Sequence, residues 1–203
     1  VGDIVDLLRG AAGGLQLAGS SLAIGTFAYD PAKQALRVDQ LTLRVKGSRG
    51  ADPLALELDW PQLDVAGQQL KGSPLEGKFA LGGALPVNAN FRSGAPTGSF
   101  DAIALPGFEA RLSSAGGARK LDGTLRANVG IQPAKSAIRL DALELKADIQ
   151  DQALKPVALA LRGSASASPQ AAHWALSGQA NANAFQIDGN ANLSGSTPFV
   201  KAT

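Results

Sequence analysis

The sequence predicts an all-β fold, an antiparallel meander of about a dozen strands with a short helix at its N-terminus. Three observations support this prediction. Apolar and polar residues alternate through most of the chain after residue 14, long phrases recur at a fixed interval, and no helical pattern separates the alternating runs. Parallel strands need long crossover connections, which are usually helices. Because no helical pattern lies between the alternating runs, we expect antiparallel hairpins.

The composition is that of a folded protein with thin layers. The chain has 203 residues, of which 45% are hydrophobic and only 5% aromatic, and it contains 24 Gly. Small aliphatic side chains and glycines favour close approach of neighbouring strands over a thick aromatic core. We predict that residues 15–203 form a single β-rich domain with two similar halves.

Charge and cysteine content exclude several classes of function. The net charge is only +2, and the basic residues are scattered without the interleaved aromatics of a nucleic-acid surface. We therefore expect no nucleic-acid partner. The chain contains no Cys, which excludes disulfides, thiolate metal sites and a cysteine nucleophile.

Residues 1–14 predict a short amphipathic helix. A glycine-rich stretch from Gly10 to Gly14 ends a run in which apolar residues recur at helical spacing, namely Val1, Ile4, Val5 and Leu8. We expect this helix to cap the apolar end of a β-layer, with docking on a partner or a membrane as the alternatives. The sequence shows no signal peptide and no apolar run of membrane-spanning length.

Two long phrases indicate an internal duplication. Residues 35–45 read ALRVDQLTLRV, and residues 137–147, which lie 102 residues later, read AIRLDALELKA. In both, the apolar alternation changes phase by one residue just after Asp39 or Asp141, which predicts a bulge or a sharp bend. The similarity continues in PLALEL and PVALAL, residues 53–58 and 156–161. We predict a repeat of about one hundred residues.

A shorter phrase recurs three times, as LEGKFALGG, LDGTLRANVG and IDGNANLSG, starting at residues 75, 121 and 187. Each copy follows another alternating run across a short polar connection, which is the pattern of an antiparallel hairpin. The first copy overlaps KGSPLEGKF, which resembles a phosphate-binding loop but has Phe79 where a hydroxyl should ligate Mg²⁺. We interpret Gly77 as a strand glycine, Gly72 as part of a hairpin connection and Lys78 as facing water.

The polar residues form no recognisable catalytic or metal-binding pattern. His173 is the only His, no Ser lies in a G-x-S-x-G elbow, and no calcium-loop motif is present. We expect Asp39, Asp122, Asp141 and Asp188, which lie beside apolar strand residues, to mark bends or the solvent face. The sequence predicts no catalytic residue, no cofactor-binding residue, no metal ligand and no enzymatic activity.

The repeated phrases, in a Cys-free chain rich in Ala, Leu and Gly, resemble the periplasmic β-region of the AsmA-like family of Gram-negative bacteria from about Leu15 onward. The resemblance implies a periplasmic piece of a protein anchored in the inner membrane, with the anchor helix outside this sequence. It also implies a relation to bridge-like lipid transfer proteins, whose strongly curved sheets form an apolar groove. Phospholipid acyl chains and outer-membrane assembly proteins are the partners it implies, with membrane contact through the anchor. The implied function is phospholipid transport or outer-membrane biogenesis.

The alternating strands provide residues for such a groove. Nine aliphatic residues share the apolar faces of the duplicated strands: Leu36, Val38, Leu41, Leu43, Leu56, Leu58, Leu140, Leu143 and Leu145. The same residues would equally fill a closed β-sandwich, because periodicity reports which residues share a face and not what covers it. A protein-interaction or scaffold module of the cell envelope is the alternative function, and a glycan-binding or glycan-cleaving domain is a third.

Overall fold

The computed structural model describes residues 15–84, 86–116, 119–152, 154–192 and 199–202. These residues form one antiparallel sheet of fifteen strands that curves into part of a ring. The only helical segment within these ranges is a 3-10 turn at Pro133–Lys135. The prediction of an all-β antiparallel meander is therefore confirmed. The helix predicted for residues 1–14 lies outside the described residues.

The strands follow the chain in order across the sheet. Their bounds are β1 Leu15–Ala23, β2 Thr26–Asp30, β3 Ala35–Arg49, β4 Asp52–Ala66, β5 Gln69–Gly72, β6 Leu75–Leu81, β7 Val87–Ser93, β8 Thr97–Ser99, β9 Ala102–Gly116, β10 Arg119–Gln132, β11 Ala137–Asp151, β12 Leu154–Ala167, β13 Ala171–Ala180, β14 Asn183–Asn192 and β15 Phe199–Ala202. Three positions in the sheet are shared by two short strands each, β1 with β2, β5 with β6 and β7 with β8. The fifteen strands therefore fill twelve positions.

The described strands form a single layer. All fifteen strands belong to one hydrogen-bonded sheet, and inner-face residues such as Leu43, Leu58 and Leu145 stay half-buried, whereas a facing sheet would bury them. No second sheet packs against the first in the described part of the chain, so the alternative of a closed β-sandwich is wrong for it. The alternation in the sequence identified the apolar face correctly but carried no information about a covering layer.

The duplication seen in the sequence is also present in the backbone. Strands β3 and β11 each have fifteen residues and begin 102 residues apart, at Ala35 and Ala137. The residue before each strand, Gln34 or Ser136, has a left-handed backbone with φ of 46° and 48°. Each of these residues donates its N–H to a proline carbonyl three residues earlier, Pro31 or Pro133. The repeat thus extends upstream into a Pro-Ala-Lys turn, which the sequence analysis did not identify.

A line of irregular residues, which we call the crease, crosses the sheet from the first position to β12. The predicted phase changes in β3 and β11 coincide with left-handed residues 102 apart, Gln40 (φ 57°) and Ala142 (φ 49°). Gly107 in β9 is also left-handed (φ 57°), and β9 and β11 each shift register by one against the uninterrupted β10. The crease consists of residues 24–25, Gln40, Pro61, residues 73–74, residues 94–96, residues 106–107, Ala142 and Gly163.

Between β4 and its neighbours the crease is built by prolines and one serine. Pro61 interrupts the ladder of β4 because proline has no N–H to donate. Opposite it, the Ser73 hydroxyl accepts the N–H of Gln62 at 2.9 Å, and the Ser73 carbonyl accepts the indole N–H of Trp60 at 3.1 Å. Gly72 ends β5, and β6 continues in the same sheet position. The prediction that Gly72 lies in a hairpin connection is therefore wrong.

The bulges keep one face of the sheet apolar on both sides of the crease. A bulge inserts one residue, so a phase change in the sequence returns the apolar residues to the same side of the sheet. We call this the inner face and the opposite one the outer face. One row of cross-strand partners spans the inner face: Leu43, Leu58, Gly77, Phe91, Ala110, Leu125, Leu145, Leu161, Gly178 and Phe185.

Candidate apolar groove

The buried hydrophobic side chains of the described residues all lie on the inner face, both beside the crease and away from it. Beside the crease, Val38 is 5% exposed, Leu75 is 5%, Ala127 is 5% and Leu143 is 8%. Away from the crease, Leu70 is 2% exposed and Val45 is 3% exposed, while Leu145 is half-buried. Since no second layer covers the inner face among the described residues, its low exposure shows that it is the concave side of the curved sheet. We call this surface the apolar groove.

All nine residues predicted to form an apolar face lie on the inner face. Val38 and Leu143 are buried, and the other seven are half-buried: Leu36, Leu41, Leu43, Leu56, Leu58, Leu140 and Leu145. The first six in chain order lie on β3 and β4, and the last three lie on β11. The strands between these two patches are also apolar on the inner face, so the two patches form one surface.

The nine predicted groove residues did not include the intervening inner-face residues. They include Leu75, Phe79, Ala89, Phe91, Ala110, Leu112 and Leu125. The alternation that identifies them was present in the sequence. The predicted groove residues come only from the duplicated phrases, whereas Leu75, Phe79 and Leu125 lie in the recurring short phrase and the others lie in neither. Val38, Leu63, Val65 and Leu70 form the best-packed cluster, with Ile103 against it across Gly98.

Glycines let neighbouring strands approach closely under the groove. A Cβ at Gly77 would lie 2.6 Å from the carbonyl oxygen of Glu57 and against the Phe91 ring. A Cβ at Gly123, the equivalent residue in the second copy of the short phrase, would lie 2.8 Å from the Lys146 carbonyl. Gly77 lies inside β6 with Leu75 and Phe79 on the same face, and Lys78 is exposed on the outer face. These placements confirm the interpretation of Gly77 as a strand glycine.

The outer face is polar and carries a row of alternating charges. The residues of this row are cross-strand partners on six neighbouring strand positions: Glu76, Arg92, Glu109, Arg126, Glu144 and Arg162. Glu109 bonds Arg92 at 3.0 Å and Arg126 at 3.5 Å, and Glu144 lies 3.5 Å from Arg162. The hydrogen bond from Arg92 and the positive charges of both arginines lower the pKa of Glu109, against a smaller opposing effect of desolvation.

The acidic residues singled out in the sequence lie at bends or on the outer face. Asp39 and Asp141 directly precede the left-handed residues of the crease, and each accepts a hydrogen bond from an arginine two residues earlier, at 3.1 and 2.7 Å. His173 is exposed on the outer face, beside Ser166 and Asn190 in register. Within the described ranges, no group of three or more His, Asp or Glu side chains is placed to hold a metal ion.

Comparison of the chain with protein-family models, with curated proteins and with solved structures gives no match. In the part of the chain that the structure describes, no helix has the length and hydrophobicity needed to cross a membrane.

Proposed function

We propose that this chain is a non-enzymatic β-domain that carries phospholipid acyl chains in its apolar groove, as a periplasmic segment of an AsmA-like protein. One observation carries the proposal. The inner face is apolar across the sheet, is the concave side of the curved sheet, and has no second protein layer over it among the described residues. A concave apolar surface of this kind is stabilised when something apolar fills it.

The dimensions of the groove suit acyl chains. Twelve strand positions leave eleven spacings of about 4.8 Å, so the inner face measures about 50 Å across the strands along the curve of the sheet. This length exceeds the roughly 15 Å that one leaflet contributes to the hydrocarbon core of a bilayer. Each CH₂ group removed from water contributes about 0.8 kcal/mol, so partial burial of an acyl chain suffices for binding.

The polarity of the outer face also favours binding of acyl chains on the inner face. Its charges are paired across neighbouring strands and stay in water, so the two faces differ sharply in polarity. A lipid held by its chains against the inner face would leave its headgroup at the open side of the groove. The concave side therefore has what is needed to hold chains, and no residue on it is required to recognise a particular headgroup.

The test compares lipid binding by two double variants, one on the inner face and one on the outer face of the same part of the sheet. We expect the purified protein to retain phospholipid in native mass spectrometry and in organic extracts. Leu58→Glu with Leu145→Glu should reduce the bound lipid at least several-fold, because two carboxylates would stand in the groove. Lys78→Glu with Lys146→Glu, which places the same residue type on the outer face, should leave lipid binding unchanged.

The proposal fails if the folded protein carries no lipid and takes up none from phosphatidylethanolamine and phosphatidylglycerol vesicles. It also fails if the two double variants lose lipid equally. Circular dichroism of each variant would establish that the sheet is intact before binding is compared. Cell fractionation of the full-length protein tests the periplasmic location and the inner-membrane anchor separately from lipid binding.

A scaffold module of the cell envelope is the second candidate function, and the open edges of the sheet favour it. Strands β1 and β2 have no partner on the side away from β3 among the described residues. Such edges recruit strands from other proteins, and outer-membrane assembly proteins are the partners in question. Crosslinking from the sheet edges in cells that recovers lipids alone would count against this function.

A further inference from the structure

The edge formed by β1 and β2 lacks the features that normally protect a free sheet edge. Soluble proteins protect such edges with charged residues, prolines or a covering element, because unpaired backbone groups recruit other strands. Residues 15–29 contain no charged residue and no proline. Among the described residues, no strand pairs with this edge on the side away from β3.

Large apolar side chains are exposed along the same edge. Leu22 is 42% exposed, Ile24 44%, Phe27 64% and Tyr29 58%, and these are four of the seven large hydrophobic residues that are exposed in the described chain. All four lie on the inner face, because they pair in register with apolar inner-face residues of β3 or continue that register across the crease. The inner face is thus least covered at this edge.

The internal duplication shows how the fold covers an equivalent edge. Strand β2 corresponds to the last part of β10, 102 residues later, and the pair Phe27 with Val38 is repeated as Val129 with Leu140. Phe27 corresponds to Val129, which is only 6% exposed because Leu105 of β9 lies beside it. Strand β9, which provides this cover, has no counterpart in the first half among the described residues.

We propose that this edge pairs with the same edge of a second copy of the chain, antiparallel and around a two-fold axis. The spacing of the apolar residues about Gly25 and Thr26 is self-complementary. When Gly25 faces Thr26 of the partner subunit, Phe27 faces Ile24 of the partner subunit and Tyr29 faces Leu22 of the partner subunit. Every exposed apolar residue of the edge then lies opposite another, in the aromatic–aliphatic pairs that stabilise sheets.

A two-fold axis perpendicular to the sheet places both inner faces on the same side. The creases of the two copies meet at the axis, because Gly25 belongs to the crease. The dimer is therefore one continuous sheet with one continuous concave face. Asp30, at the end of β2, is the one charged residue of β1 and β2, so this edge offers little to an acidic or basic strand and a second copy is favoured. The dimer does not depend on lipid in the groove.

The first test is the solution mass of the intact chain as a function of concentration. We expect light scattering coupled to size exclusion to give twice the chain mass of 20.6 kDa at the upper end of the concentration range. Phe27→Lys should raise the dissociation constant of the dimer at least tenfold, because it places a charge in the paired edge. Phe100→Lys, at a site that is 53% exposed and away from this edge, should leave the mass unchanged.

The second test fixes the register, and the absence of native Cys makes it clean. A mixture of Ile24→Cys and Phe27→Cys chains should form a disulfide heterodimer under mild oxidation, because these positions face each other. Neither variant alone should crosslink efficiently, because its two Cys would lie beyond the about 7 Å that a disulfide spans between Cα atoms. A protein that stays monomeric, a dimer insensitive to Phe27→Lys, or equal crosslinking by the single variants would overturn the proposal.

Discussion

Glu109 shows at the scale of one residue how the outer face depends on pH. Its carboxylate accepts a hydrogen bond from Arg92 at 3.0 Å and lies 3.5 Å from Arg126, which together lower its pKa. A carboxyl group whose pKa is lower in the folded state stabilises the fold above its unfolded pKa. That contribution is lost as the pH falls through the folded pKa. Because the side chains are at the surface, the effect is small and screened by salt.

We predict that Arg92→Gln raises the pKa of Glu109 toward its ordinary value of 4.5, because the largest cause of the shift is removed. A carboxyl-detected NMR titration of the folded protein measures this directly. Arg111→Gln, on the same face and strand but two residues from Glu109, is the control and should leave the titration nearly unchanged. An unaltered pKa in the Arg92 variant would show that Arg126 alone holds the carboxylate.

At the scale of the element, the crease begins as a few irregular residues within individual strand positions. These residues form a continuous line only because the strands pair in register. The phase changes after Asp39 and Asp141 were readable in the sequence, because a one-residue slip in strict alternation requires a bulge. The part of the crease where Pro61 faces Ser73 could not be predicted from the sequence, because it depends on which strand lies opposite β4. Gly72 was misplaced for this reason. A glycine near a proline is typical of a turn and equally of a break within a strand position.

At the left-handed residue of β11 we expect a substitution by glycine to stabilise the protein, whereas glycine within a strand usually destabilises it. Ala142 has a φ of 49°, a conformation that costs an L-residue roughly 1–2 kcal/mol and costs glycine almost nothing. We expect Ala142→Gly to raise the free energy of unfolding by about 0.5–1 kcal/mol in urea denaturation followed by circular dichroism. Ala160→Gly, at an exposed site in the regular part of β12, should lower it by about 0.5–1 kcal/mol. Two changes of the same sign would contradict the role of the bulge.

At the scale of the whole molecule, each strand depends mainly on its two neighbours. All substantial contacts run between adjacent positions of the sheet, as in repeat proteins whose stability is a sum of nearest-neighbour terms. All-β character, strand number and the apolar face could be predicted from alternation alone. The single layer could not, because it depends on the absence of a partner sheet. The three-fold short phrase identified strands in three separate regions, β6, β10 and β14.

This architecture predicts graded local stability. We expect amide hydrogen exchange to be slowest in β9, β10 and β11, at the centre of the sheet, and faster in β2 and β14 near its ends. Gly163→Val, which would drive a side chain into the carbonyl of Ala175, should accelerate exchange in β11 to β13 more than in β3 and β4. Exchange measured by mass spectrometry that is uniform along the chain, or a variant that loosens both halves equally, would indicate a single cooperative unit.

The charge row on the outer face also constrains how such a sheet can change in length. From Glu76 to Arg162 acids and arginines alternate strand by strand, so the row repeats every two positions, which is one hairpin. Insertion or deletion of a hairpin preserves both the antiparallel order and the alternation. Deletion of a single strand from within the row would set like charges directly opposite each other, which is destabilising. Removal of a whole hairpin from within the row therefore keeps its charges paired, and removal of one strand does not.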